Sequence, residues 1–193
     1  LSAQTNTTDS SIKTKLDSWY KSNLVSYTSY LVDETFCSDR SITSGDGYLN
    51  AQTTIYGAYT RLQDRKTPSL KCGQENDRFK VSSTSAKLDY PIGLIQADEV
   101  ALAGGRAYYN DSYSPNSNYY LYNGKYFWTL SPSYFDSHGS FANVWLVVPS
   151  GSLAPWSRVT YSNGVRPVIN LKANTLITKG DGSSLNPFTI KLG

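Results

Sequence analysis

Methionine is absent from this chain, histidine occurs once, cysteine twice, and charged residues make up only 17% of it. Each scarcity excludes something. One histidine and two cysteines outside any CxxC pair cannot assemble an ordinary zinc site. No Lys or Arg run is present, and a net charge of +3 is too small and too scattered to hold a nucleic acid. No apolar run approaches the ~20 residues of a membrane-spanning helix. The 15 acidic residues include no pair that spacing alone places across a cleft, so a carboxylate-based glycan hydrolase is the weakest functional reading. No cofactor motif occurs and none is expected. The start, Leu1-Ser2-Ala3-Gln4, reads as trimmed, which leaves room for a signal or anchor segment upstream.

What is present is aromatic and β-prone. A low charge fraction with 16 tyrosines argues against disorder. Residues 1–10 read as a flexible lead-in and 11–193 as a single domain. Asp9 or Ser10 caps a helix over about 10–24, with Ile12, Leu16, Trp19 and Leu24 on the apolar face. A weaker helix covers Thr53 to Arg65, and Ala97 to Ala103 forms a short one ended by Gly104-Gly105. Asp98 and Glu99 suit its first turn and the helix dipole better than a catalytic pair, because adjacent helical positions diverge. Cys37 and Cys72 pair most economically as a disulfide, implying an oxidising compartment; two buried thiols are the alternative.

Strand signals dominate the second half. Tyr126 to Leu130, Val144 to Val148 and Val165 to Leu171 are short β-type runs bounded by turn residues. Two of them are nearly continuous in apolar residues, as in a sheet covered on both faces. Arg78 to Val81 and Pro91 to Ile95 read as further strands, and Thr175 to Ile190 as a hairpin turning at Gly180-Asp181-Gly182.

Between these runs the composition changes. Eight tyrosines fall between Tyr108 and Tyr134, among several asparagines. Tyr and Trp offer rigid amphipathic contact area, and Ser, Gly and Asn adaptable hydrogen bonds, a mixture typical of binding loops. The candidate ligand-facing residues are Tyr108, Tyr109, Tyr113, Tyr119 and Tyr120 in the first such section. His138 joins them from a Ser133–Phe141 loop, and Trp156, Arg158 and Tyr161 from a Ser152–Tyr161 loop. Trp, Arg and Tyr are the types most enriched at interaction hot spots. His138 has no nucleophile motif beside it and reads as a solvated loop residue rather than a base. Tyr126, ahead of Phe127-Trp128, reads as core.

Trp19-Tyr20, Phe36-Cys37-Ser38-Asp39-Arg40, Cys72 and Pro91 to Val100 carry a resemblance, together with Trp128-Thr129-Leu130-Ser131-Pro132 and Gly164 to Leu171. Over most of the chain from about residue 11, these resemble a cell-surface domain family of gut Firmicutes. That family is similar to the C-type lectin-like fold of formylglycine-generating-enzyme type. The resemblance implies an α+β fold: a small twisted, mostly antiparallel sheet, two flanking helices, and long irregular loops forming a ligand surface. It is also the fold of variable proteins made by diversity-generating retroelements. Two departures matter. The Glu-Pro-Asn, Gln-Pro-Asp and Trp-Asn-Asp motifs of calcium-dependent lectins are missing, and both cysteines lie too early for the oxidase chemistry of the formylglycine-generating enzymes.

The expectation is therefore a non-enzymatic, secreted or surface-displayed adhesin or receptor-binding domain. Its partner would be a protein or glycan on another cell or surface. The alternative is a structural module of a stalk or pilus.

Overall fold

Ser10 starts the first helix: its Oγ accepts the Lys13 N–H at 3.1 Å, and α1 runs Ser11–Asn23. The computed structural model describes residues 6–47, 52–107, 124–138, 141–183 and 185–191. The buried face of α1 is Leu16 and Tyr20, with Ile12 and Leu24 half-buried beside them. Trp19, expected on that face, is 43% exposed. Leu16 and Tyr20 mark the centre of the buried stripe, and Trp19, about 100° around the helix from Tyr20, falls at its edge. Tyr20 takes the core position instead. Its ring stacks on Tyr90 at 4.8 Å, and its hydroxyl lies 2.8 Å from the Thr28 hydroxyl. A 3₁₀ turn, Val25–Tyr30, follows.

The main sheet is antiparallel with five strands. Numbering by chain order and passing over β1 (Phe36–Cys37), they are β2 (Ile42–Ser44), β3 (Thr54–Tyr56), β5 (Phe127–Asp136), β6 (Phe141–Val147) and β7 (Leu153–Arg158), adjacent in that order. β1 pairs with β4 (Arg78–Phe79) as a separate ribbon. Successive side chains point to opposite faces, so continuous apolar runs load both sides of this sheet. Phe127, Trp145, Val147 and Leu153 enter one cluster with Ala58, Leu62, Ile95 and Val100. Trp128 and Leu146 enter the other with Leu16, Tyr20, Leu31, Ile92 and Leu94. The fold class is α+β with a small antiparallel sheet.

Several expectations need correction. The Thr53–Arg65 helix is a strand, a single α-turn α2 (Gly57–Tyr59) and a π-helical turn (Thr60–Arg65). Val165 to Leu171 is no strand. It is tied by single bridges, Gly93 to Val168 and Leu31 to Leu171, and Pro167 in its middle has no N–H to offer a ladder on its other side. Among the described residues, Pro91 to Ile95 likewise has a single bridge, at Gly93, and the Ile95 carbonyl accepts the Leu130 N–H at 2.9 Å. Ser133–Asp136 belongs to β5 and Leu153–Arg158 is β7, where loops were expected. Tyr126 is 52% exposed rather than core. The helix at 97 (α3, Ala97–Leu102) and the terminal hairpin, β8 (Ile177–Lys179) with β9 (Thr189–Ile190), form as expected.

The expected lead-in is partly fastened: the Asn6 amide donates to the carbonyls of Asn76 and Ser85, both at 2.8 Å. A second tie is Asp33, whose carboxylate accepts the N–H groups of Val81 (2.7 Å) and Ser82 (2.8 Å). Burial alone would raise its pKa. The Val81 and Ser82 donors, with Lys80 nearby, outweigh that and hold it below the ordinary 3.8. The ordered Asp33 carboxylate therefore contributes stability in full above that value, and the contribution is lost as pH falls through the lower folded one. Asp33→Asn should lower the denaturation midpoint at pH 7 and flatten its fall between pH 5 and 3, read from denaturant curves. An unchanged acid limb would contradict the tie.

Candidate ligand-facing surface

β7 alternates cleanly: Leu153, Pro155 and Ser157 are buried, while Trp156 and Arg158 are exposed. Residues two apart on a strand project to one side, so these two side chains share a face. The Pro155 ring removes a ladder donor and argues for a loop. The strand tolerates it because β7 ends the sheet order, where a missing donor breaks no central ladder. Arg158 pairs in register with Asn143 of β6, and Asn143 with Tyr134 of β5. The three form a row across the sheet.

The row is organised by rings. The Arg158 guanidinium lies 3.8 Å from the Phe141 ring centroid, a cation–π contact that holds the arginine in place. Tyr134 meets Tyr59 edge-on at 6.0 Å, and Tyr59 lies 6.3 Å from the buried Trp145. Burial raises the Tyr134 pKa, Asp136 and Tyr59 push it further, and Arg158 opposes them, so the phenol stays neutral. Asn143 is 2% exposed, and neither of its amide atoms has a hydrogen-bond partner among the described residues.

Tyr161 follows in the turn after β7, 54% exposed, its N–H donating to the Arg158 carbonyl at 2.9 Å. His138 sits at the tip of the β5–β6 hairpin, its side chain 89% exposed. Its backbone N–H donates to Asp136 Oδ1 at 2.9 Å. That is a solvated turn residue at the end of the sheet where Phe141 and Arg158 stack. The structure thus puts Arg158 and Trp156 on one strand face, with Tyr161 next in the chain. Tyr108, Tyr109, Tyr113, Tyr119 and Tyr120 lie outside the described residues.

Sequence reasoning missed Phe141 and Tyr134, the rings that frame Arg158. The available signal was the period-two alternation of Leu153 to Arg158, which Pro155 masked.

Two clusters with chemical potential belong to the scaffold. Asp9, Asp17 and Asp89 are close enough to one another to hold a cation. Lys13 Nζ already lies among them, 3.1, 2.8 and 2.8 Å away. Burial would lower the Lys13 pKa, but hydrogen bonds to Asp17, Asp89 and Asp9 outweigh it and hold the ammonium charged. Asp98 and Glu99 diverge. Glu99 accepts the Gln96 N–H and closes a capping box on α3, while Asp98 is bound by Arg61 and the Ser69 N–H. Neither cluster offers a free acid and base facing one another.

No helix among the described residues is long and apolar enough to cross a membrane, and Cys37 and Cys72 form a disulfide. Compared with family models, curated proteins and solved structures, the chain matches none of them.

Proposed function

We infer that this chain is a non-enzymatic binding domain of C-type lectin-like architecture, secreted or displayed on a cell surface. Its ligand is a protein or glycan on another cell or surface. The observation that carries this reading is the outward face of β7 and its turn. Trp156 and Tyr161 are 41% and 54% exposed there, beside an arginine stacked on Phe141. A rigid sheet that presents Trp, Arg and Tyr loses little conformational entropy when it binds, and these residues carry most of the energy at interfaces. The disulfide supports an oxidising, extracellular setting.

The test is a glycan array and a panel of immobilised extracellular proteins, probed with the wild-type chain and with Trp156→Ala, Arg158→Ala and Tyr161→Ala. Each substitution should weaken the best binder about tenfold or more. Thermal unfolding should stay within a few degrees of wild type, because the side chains removed are exposed. Unfolding of all three variants would mean that they hold up the fold. Turnover of glycoside substrates by the wild type would replace the reading with an enzymatic one.

A further inference from the structure

The row formed by Tyr134, Asn143 and Arg158 carries more chemistry than contact area. Along β6, Val144 and Leu146 pack against the α1 cluster, while Trp145 and Val147 enter the other. Asn143 therefore turns its amide to the Trp145 side, together with Phe141. Tyr134 of β5 and Arg158 of β7 are its register partners on either hand. Directly opposed strand residues hold their Cβ atoms about 4.5–5.5 Å apart, so the three polar ends are neighbours.

Asn143 is the telling member. It is 2% exposed, and neither its Oδ1 nor its Nδ2 has a partner among the described residues. A buried amide left unpaired costs stability, where an apolar side chain of similar size would not. Arg158 is likewise uncommitted: the Phe141 ring lies against its guanidinium at 3.8 Å, and no ion pair among the described residues takes it. The ring occupies one face of that group, while its N–H donors lie in the plane and stay clear. The Tyr134 phenol stays neutral and keeps its O–H.

Guanidinium, amide and phenol together offer mostly donors and one positive charge. Their complement is a carboxylate, which a planar guanidinium takes through two parallel bonds. One acid shares the face. Asp136 pairs with Phe141 at the hairpin tip, where its carboxylate accepts the His138 N–H. It bars an anion from that end and leaves the Trp156 side for entry. Trp156 and Tyr161, beside Arg158, are residue types that dominate protein interfaces. The Asn143 amide, with donor and acceptor side by side, matches a peptide group.

We propose that the Tyr134–Asn143–Arg158 row binds an acidic peptide segment of a partner protein, Arg158 taking an Asp or Glu carboxylate and its two neighbours the adjoining peptide groups. This rests on the binding reading of the β7 face and names its ligand. Asn143 is sealed in the free chain, so it engages only when the Arg158 or Tyr134 side chain turns toward the ligand.

Selection of a displayed random nonapeptide library on the immobilised full chain tests this. Wild type should enrich peptides that share an Asp or Glu at one position. Synthesised, these should bind about tenfold or more less tightly once that acid is changed to its amide, since a charge-assisted pair is lost. Arg158→Gln should bind both forms alike. Arg158→Lys, which keeps the charge without the fork, should restore only part of the difference. Asn143→Asp keeps the shape, pairs with Arg158 and should lose the acidic peptides; Tyr134→Phe, with a smaller loss, replaces it if its melting curve shows early unfolding. Enriched peptides with no shared acid, or an acid replaced without loss, overturn the proposal. So does Arg158→Gln that still prefers the acid. If no peptide is enriched while a glycan binds wild type and not Trp156→Ala, the carboxylate ligand falls and the binding face stands. If wild type binds nothing in either assay, both fall.

Discussion

Replacing Arg61 with leucine should lower the unfolding free energy by about 3–5 kcal/mol, the usual consequence of stranding a buried charge. Asp98 is 1% exposed, and Arg61 grips it with both Nε (2.8 Å to Oδ1) and Nη2 (2.9 Å to Oδ2). The third nitrogen, Nη1, reaches Asp39 Oδ2 at 2.7 Å. The arginine thus joins the turn after β1 to α3 through the π-helical turn that carries it. Removing it leaves two carboxylates whose remaining donors among the described residues are backbone N–H groups, Ser69 on Asp98 and Ser41 on Asp39. The melting temperature should fall by roughly 6–20 °C, at 2–4 °C per kcal/mol for a chain of this size. The double variant Arg61→Leu/Asp98→Asn should recover much of the loss, because the amide still accepts the Ser69 N–H while the buried charge is gone. A single variant within about 1 kcal/mol of wild type by denaturant unfolding would show that water reaches Asp98 and that the network is ornamental.

Opening the disulfide should have a comparable effect. The Cys37–Cys72 bond closes a loop with a sequence separation of 35, and restricting that loop in the unfolded chain is worth about 3–4 kcal/mol. The position favours a full effect. Cys37 lies in β1, whose ribbon with β4 has only two residues on each side. Residues 66–74, which carry Cys72, form no helix or strand. The remaining ties there are few, chiefly the Arg78 guanidinium donating twice to the Cys72 carbonyl (2.9 and 2.8 Å). Cys37→Ser/Cys72→Ser, compared with wild type with and without reductant, should lose that stability in denaturant titrations. Reduced wild type should match the variant. If oxidised wild type and variant unfold at the same midpoint, the covalent link contributes nothing that the ribbon does not already supply.

Much of the scaffold was legible beforehand, for reasons tied to particular residues. The Asp9-Ser10 cap and the spacing of Ile12, Leu16, Trp19 and Leu24 announced α1, and the apolar stretches at Tyr126–Leu130 and Val144–Val148 announced two neighbouring strands of a sheet covered on both faces. Gly180-Asp181-Gly182 announced the last turn. The failures share a cause. Trp19 and Tyr126 each adjoin another large aromatic, and adjacent residues point in different directions, so Tyr20 and Phe127 face the core and they do not. Pro155 and Pro167 sit in similar β-prone runs, yet one run joined the sheet edge and the other stayed outside it. A proline's cost is set by whether its missing N–H faces a partner strand, which no local pattern records.

The linear order of residues settled what depends on near neighbours alone: helix caps, turn chemistry and apolar periodicity. Tertiary structure decided what depends on residues far apart in the chain. It set Arg61 between Asp39 and Asp98, sank Lys13 among three aspartates, and stacked Arg158 on Phe141. Such pairings turn on angstrom-scale geometry between distant segments, and burial sets their strength, which composition and spacing cannot state.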